Sequence, residues 1–364
     1  MEFVEAVILT IITASTPLLL AASGELIVER AGVLNLGVEG MMIVGAACGF
    51  AGAFVSGSIL VGALCGILAG AALAAVFAAL TLGLAANQVA SGLALTILGV
   101  GLAGLIGAGY VGQKIEGAAH LHIPYISDIP FLGRVLLGQD MFVYLSVALI
   151  VGIWYFLYRT RAGLIGAGFV GERITPAPHL RIPGLTDIPL LGRVVFGEDA
   201  FVYFSIALVV GVWWFLYRTR AGLILRACGD NHVSSHALGY PVLRIRTFAV
   251  MFGGACAGLA GAYLPLAYTP FFIPGMTAGR GWIALALVVF ASWLPGRLVI
   301  GAYLFGAVTI LQLHAQGWGV GIPSQFMSAL PYLATVIVLV LISRARSGGS
   351  TAPATLGTVF VPDR

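Results

Sequence analysis

The stretch "ILVGALCGILAGAALAAVFAALTLGL" (Ile59–Leu84) carries no charged side chain. As a helix it would reach about 39 Å at 1.5 Å per residue, more than the ~30 Å hydrocarbon core of a bilayer. A helix apolar on every face needs protein or lipid on every side. The rest of the chain makes the same demand: 60% of residues are hydrophobic and only 9% charged, whereas soluble domains are about 25% charged. Mean hydropathy is +1.05. A membrane barrel would show alternating segments of about ten residues; these runs are unbroken. The fold class is therefore all-α, a polytopic transmembrane helical bundle.

Further apolar runs lie at Val4–Ser23, Met41–Val55, Leu93–Gly112, Met141–Tyr158, Ala200–Tyr217, Thr247–Tyr268, Trp282–Leu294, Leu298–Trp318 and Leu330–Ser343. Trp282–Leu294 is short for a span, and the "GMTAGRG" before it is expected partly within the membrane. Net charge is +4 and Lys114 is the only lysine. The arginines sit at the ends of apolar runs, so they read as topology signals rather than as a nucleic-acid face. They put the segments before Thr247, at Pro295–Arg297 and after Ser343 in the cytoplasm. The acidic N-terminus, with no basic n-region, is not read as a cleaved signal peptide and lies outside. The scheme closes on nine spans, N-out and C-in, once an internal repeat is set aside.

Gly104–Ala162 and Gly163–Ala221 align without gaps, and both end in "FLYRTRA". This is a tandem duplicate of a loop-plus-span unit, unlike solenoid repeats, which stack three or more copies. Only one strong apolar run separates Arg161 from Arg218, so two ordinary spans cannot both end on the cytoplasmic side. Ala200–Tyr217 continues into "GLILRACGDN" and is expected to hold the native span position, with the other copy accommodated irregularly. Residues 1–343 form the transmembrane domain. The Gly/Ser/Pro/Thr-rich tail, 344–364, is expected to be disordered.

No metal site or cofactor is expected. Cys48, Cys65, Cys228 and Cys256 are scattered and form no CxxC. The pairs His232/His236 and His120/His122 lack a third ligand. "GAGYVG" and "GAGFVG" spell GxGxxG, but an apolar span precedes each and a proline-containing loop follows, the wrong context for a dinucleotide; close helix packing accounts for such glycines. The chain has no GxxxxGK[ST], no Ser/His/Asp arrangement and no HExxH. It therefore reads as no enzyme, and any ATP hydrolysis falls to another subunit.

Two polar stretches stand out. "VERAGVLNLGVEGMM" (Val28–Met42), with Glu25 just before it, sets Glu25, Glu29, Arg30, Asn35 and Glu39 between apolar runs. Its glycines permit a broken or re-entrant backbone, tolerated in membranes only against protein or a water-filled path. Ionisable groups there are functional candidates; the plainer reading is an interfacial loop with Glu29 and Arg30 paired. "TRAGLILRACGDNHVSSHALGYPV" (Thr219–Val242) predicts a short cytoplasmic helix between Gly229 and Gly239, with Asp230 or Asn231 as N-cap. It is either a partner-facing element or a plain connection.

"ERAGVLNLGVEGMMIVGA", "ANQVASGLAL", "IPGLTDIPLLGRVVFGED", "RTRAGLILRACGDN" with "ALGYPV", and "GRGWIALALVVFASWLPGRLVIGAYLFG" together resemble permease subunits of bacterial ABC importers. The resemblance is to the branched-chain amino acid/simple sugar superfamily, nearest its nucleoside branch served by basic membrane lipoprotein-like binding proteins. It covers nearly the whole chain except the extra copy and the tail. It implies a multi-pass inner-membrane protein with three partners: a cytoplasmic ATPase, a second related permease and an outer-face substrate-binding lipoprotein. The implied cargo is nucleosides or related simple sugars. By the same resemblance Arg226, Gly229, Asp230, Asn231 and Gly239 match the loop that couples to the ATPase. Asn35, Gly37, Glu39, Asn87, Gln88 and Arg280 fall in motifs placed near the translocation path. The family carries one copy of the loop-plus-span unit. The alternatives are a stand-alone secondary transporter or channel, a non-transporting scaffold, or an ABC permease for sugars or branched-chain amino acids.

Overall fold

The computed structural model describes residues 2–113, 200–317, 333 and 352–361. Met141–Tyr158, Leu330–Ser343 apart from Leu333, Lys114, His120, His122 and most of both repeat copies lie outside the described residues. The described helices are α1 (Glu2–Arg30), α2 (Val38–Ser56), α3 (Ile59–Ala78), α4 (Gln88–Gly107), α5 (Ala200–Arg218), α6 (Arg220–Asp230), α7 (His232–Ala237), α8 (Val242–Tyr263), α9 (Arg280–Phe290) and α10 (Pro295–Gly317). Two of them extend as π-turns, α3 through Ala79–Gly83 and α8 through Leu264–Tyr268. Among the described residues, seven helices are long and apolar enough to cross a membrane, and α9, with 11 residues, is not. The chain is thus a polytopic helical bundle.

The centre of the bundle is α8, which packs against α1, α2 and α3. Small residues let the backbones meet. A Cβ added at Gly70 of α3 would lie 2.7 Å from Gly258 Cα of α8, and one at Gly49 of α2 would lie 2.7 Å from Ala262 Cβ. Between membrane helices, where lipid is as apolar as Leu, such close approach is a main source of cohesion.

The first helix departs from expectation. The apolar run stops at Ser23, yet α1 continues through "GELIVER" to Arg30. Glu, Leu, Ile and Arg favour or tolerate helix, and the polar groups find partners across the bundle. Glu29 Oε2 accepts from Trp293 Nε1 at 2.6 Å, and Arg30 donates to the Trp293 carbonyl at 2.7 Å and the Tyr217 hydroxyl at 3.3 Å. Pro17 within α1 has no N–H for the Thr13 carbonyl; the Tyr263 hydroxyl, on α8, donates to it at 3.4 Å.

The Trp293 and Tyr217 contacts, with Arg246 of α8 donating to the Ala31 carbonyl at 3.0 Å, gather the C-terminal ends of α1 and α5 with the N-terminal ends of α8 and α10 at one end of the bundle. The basic segments "RTR", Arg244–Arg246 and Pro295–Arg297 therefore share that end, the relative placement that the arginine pattern predicts. α5 packs against α1 and α10 and runs through Thr219 into α6.

The tail also departs from its composition. Residues 352–361 follow a defined turn against this same end. Partners rather than propensity hold them there, because Thr355, Gly357 and Thr358 bond to groups of the α1–α2 turn, α6 and α8.

Candidate translocation and coupling sites

After Arg30 the helix cannot continue, because Gly32 takes φ +84°. A Cβ at Gly32 would sit 2.6 Å from an Arg246 guanidinium nitrogen. The following turn is non-helical to Gly37, as the glycine spacing predicts, and its backbone is satisfied by side chains. The Leu34 N–H donates to Gln88 Oε1 at 2.8 Å, Gly37 N–H to Asn35 Oδ1 at 3.0 Å, and Thr96 Oγ1 to the Leu36 carbonyl at 3.0 Å. Asn35 and Gln88 are buried. Asn87 is exposed and N-caps α4, accepting from Ala90 N–H at 3.0 Å.

Glu39, in the first turn of α2, is buried. Its Oε1 accepts from Thr277 Oγ1 at 2.6 Å and Gly279 N–H at 2.9 Å, and its Oε2 from Gly281 N–H at 2.7 Å. The carboxylate thereby fills the positive N-terminal end of α9. Arg280, in the same turn, donates to the Met276 carbonyl at 2.8 Å and lies 5.7 Å from the Tyr268 ring centroid. The structure therefore joins Asn35, Gly37 and Gln88 in one brace around the broken segment and Glu39 with the Arg280 turn in a second. The Glu25 carboxylate is buried beside the Asn35 backbone, and the Gln88 Nε2 is buried without a hydrogen-bond partner.

The second cluster lies at the shared end. Arg226 sits 4.8 Å from the Tyr217 ring centroid. Gly229 is buried, and a Cβ there would collide with the Arg30 carbonyl and lie 3.1 Å from Gly32 N. Asp230 is exposed at the end of α6. Of the two N-cap candidates it is Asn231 that caps α7, its Oδ1 accepting from Ser234 N–H at 2.9 Å. Gly239 closes the segment at φ +85°. The outer side of this element exposes Val233, Leu238 and Tyr240. His232 and His236 meet the Phe360 ring at 4.9 and 5.4 Å. Burial, with the Arg246 guanidinium beside it, holds the His232 imidazole below its usual range.

Sequence reasoning missed two residues. Arg246 reads as a topology signal but is wholly buried, donating to the Ala31 carbonyl at 3.0 Å, Thr355 Oγ1 at 3.1 Å and the Thr358 carbonyl at 3.3 Å. It also meets His232 Nδ1 at 3.2 Å and donates to the Cys228 carbonyl at 3.5 Å. Trp293 holds Glu29 and Arg30 from a backbone at φ +57°, next to Ser292 at +54°. Such strain persists only where surrounding contacts over-determine it, and nothing in "VVFASWLPG" signals it.

The described residues thus form a polytopic bundle with a broken, polar-braced segment inside and an exposed helical element at one end. The chain belongs to the family described as branched-chain amino acid transport system/permease component, which matches residues 7–167 and 174–342. It is 38% identical to TsgC13 of Haloferax volcanii, an ABC transporter permease provisionally named for glucose, over 93% of this chain and 92% of the relative. It is 27% identical to the nucleoside ABC transporter permease NupC of Lactococcus lactis over 99% and 98% of the two chains. It is 28% identical to the guanosine ABC transporter permease NupQ of Bacillus subtilis over 91% and 92%. No solved structure gives a significant match. The chain is a membrane-spanning permease component of an ABC transport system, a multi-pass protein of the inner membrane. It is a translocation component, and its family implies an ATPase partner and a substrate-binding protein.

Proposed function

We propose that this permease imports nucleosides or related simple sugars, with its N-terminus outside and the α6–α7 element facing a cytoplasmic ATPase. The observation that carries the reading is that element itself: α6 packed on α1, α5 and α8, followed by the short capped helix α7, with Val233, Leu238 and Tyr240 left exposed. Arg226 and Gly229 hold it to the bundle, Asn231 and Gly239 shape it, and Asp230 stays free for the partner. The chain supplies no catalysis. A second, related permease completes the pathway and a lipoprotein delivers cargo at the outer face. The relatives named for nucleoside, guanosine and glucose support this cargo class. Gln88, buried with its Nε2 unpartnered, is a group a polar solute could address.

A cysteine at Ser234, which is exposed, should crosslink to the ATPase in the assembled transporter, and uptake into proteoliposomes should need ATP. Ser235 is buried and unsuited to the same test. Uptake that persists without ATP would make the chain a stand-alone carrier or channel.

The repeat is read as one working copy and one surplus copy, with α5 in the working position. Deleting Gly104–Ala162 joins Ala103 to Gly163 and rebuilds the end of α4 from the second copy. Phe169 then falls where Tyr110 meets Phe54 at 5.5 Å and Phe50 at 6.2 Å, so the aromatic contact is kept. The deleted chain should transport at least as well as the parent. A deletion that inserts normally but transports nothing would show that the first copy works.

A further inference from the structure

The tail residues 352–361 contact four parts of the bundle at once, alongside Arg246, which reaches the same parts from α8. At α6, the Thr355 N–H and Oγ1 both donate to the Gly229 carbonyl, at 3.0 and 2.6 Å. That carbonyl belongs to a last helical turn, whose acceptors have no partner within the helix. At the α1–α2 turn, Gly357 N–H donates to the Gly32 carbonyl at 3.3 Å. At α8, Arg246 donates to Thr355 Oγ1 and to the Thr358 carbonyl. At α7, the buried Phe360 ring packs on Cys228 and Val242 and meets the half-buried His232 and the exposed His236 at 4.9 and 5.4 Å between ring centroids.

The face that meets Phe360 is not the docking face. On a helix His232 and His236 lie nearly in line, Ser235 points to the buried side, and Val233 and Ser234 point away; Val233 and Ser234 are exposed and Ser235 is buried. The tail therefore supports α7 from behind and leaves its outer face open. α7 needs support, because a helix of 6 residues is far below the ~12 residues at which isolated helices become even marginal in water. The same tail reaches Gly32, where the broken segment braced by Gln88 and Asn35 begins.

We propose that the C-terminal tail is a coupling strap, with Phe360 and Thr355 as positioning residues that fix α7 for the ATPase and link its movement to the broken α1–α2 segment. The inference rests on α6–α7 being the ATPase-facing element. A bridge of this kind transmits an equilibrium shift only if both ends keep their contacts.

The test uses the complete transporter carrying Ser234→Cys, with tails that are native, Phe360→Ala, Phe360→Tyr, or cut after residue 351. Substrate moved per ATP hydrolysed should fall by about fivefold or more in Phe360→Ala, the lower end of usual site-to-site coupling, and return in Phe360→Tyr. ATP hydrolysis without substrate should continue. If the native-tail complex gives no Ser234→Cys crosslink, the ATPase-facing assignment fails. If it crosslinks and Phe360→Ala couples as well as the parent, the strap is wrong. Faster transport after truncation would also overturn it, by making the tail an inhibitor. Should the cut chain not fold, the Phe360→Ala and Phe360→Tyr pair still decides.

Discussion

Gly258→Leu should yield little or no folded permease. Gly258 lies where α8 crosses both α2 and α3: a Cβ there would strike the Gly66 carbonyl and lie 3.0 Å from Gly70 Cα. Gly45 of α2 closes on Gly258 from the other side. The atoms in the way are backbone, which cannot swing aside as a flexible side chain does. Overpacking an ordinary core costs about 1–3 kcal/mol. Here relief requires separating helices, so the cost belongs with the exceptional losses above ~4 kcal/mol. Gly211→Leu is the control, because a Cβ on that α5 glycine meets nothing within 4 Å. Fluorescence-detected size exclusion in detergent should show a monodisperse peak for Gly211→Leu and aggregate for Gly258→Leu. Equal behaviour of the two would mean that α2, α3 and α8 do not pack as described.

That crossing was legible in the sequence, since "GGACAGLAGAY" places small residues four apart and membrane helices exploit such spacing. Asn231 as a cap was equally legible, because capping is a local property of the chain. The missed features depend on partners distant in the chain. The extension of α1 past Ser23 rests on Trp293, 264 residues from Glu29. The order of the tail rests on Gly32, Gly229 and Arg246, and composition carries no record of them. Arg246 fits the arginine pattern and yet is buried. Position relative to an apolar run tells which end of a helix a charge occupies, but not whether it faces water or protein. The motifs associate Asn35 and Gln88 with a path; what the structure shows is that both satisfy a backbone that has left helix.

Glu39→Ala should abolish transport while the protein still inserts. The carboxylate takes three hydrogen bonds, from Thr277 Oγ1 and the N–H groups of Gly279 and Gly281. Alanine leaves those donors buried with no acceptor, at about 1–3 kcal/mol each, and removes a negative group from the positive end of α9. Gly281 offers no slack, because a Cβ there would lie 2.5 Å from Glu39 Cα, so the two elements are already in backbone contact. Glu39→Gln keeps one acceptor oxygen but turns an N–H₂ toward other donors, so most of the loss should remain. Thr277→Val removes a single donor and leaves the carboxylate two bonds to backbone; it should cost only about 1 kcal/mol and retain most transport. The order Glu39→Ala, Glu39→Gln, Thr277→Val, from most to least damaging, should hold both for thermal midpoint in detergent and for uptake into proteoliposomes. The α2 start follows directly from the broken segment at Leu34–Gly37, so loosening α9 from α2 frees the turn that Asn35 and Gln88 brace. A Glu39→Ala protein with the parent's melting temperature and uptake would show that this carboxylate neither anchors α9 nor bears on translocation.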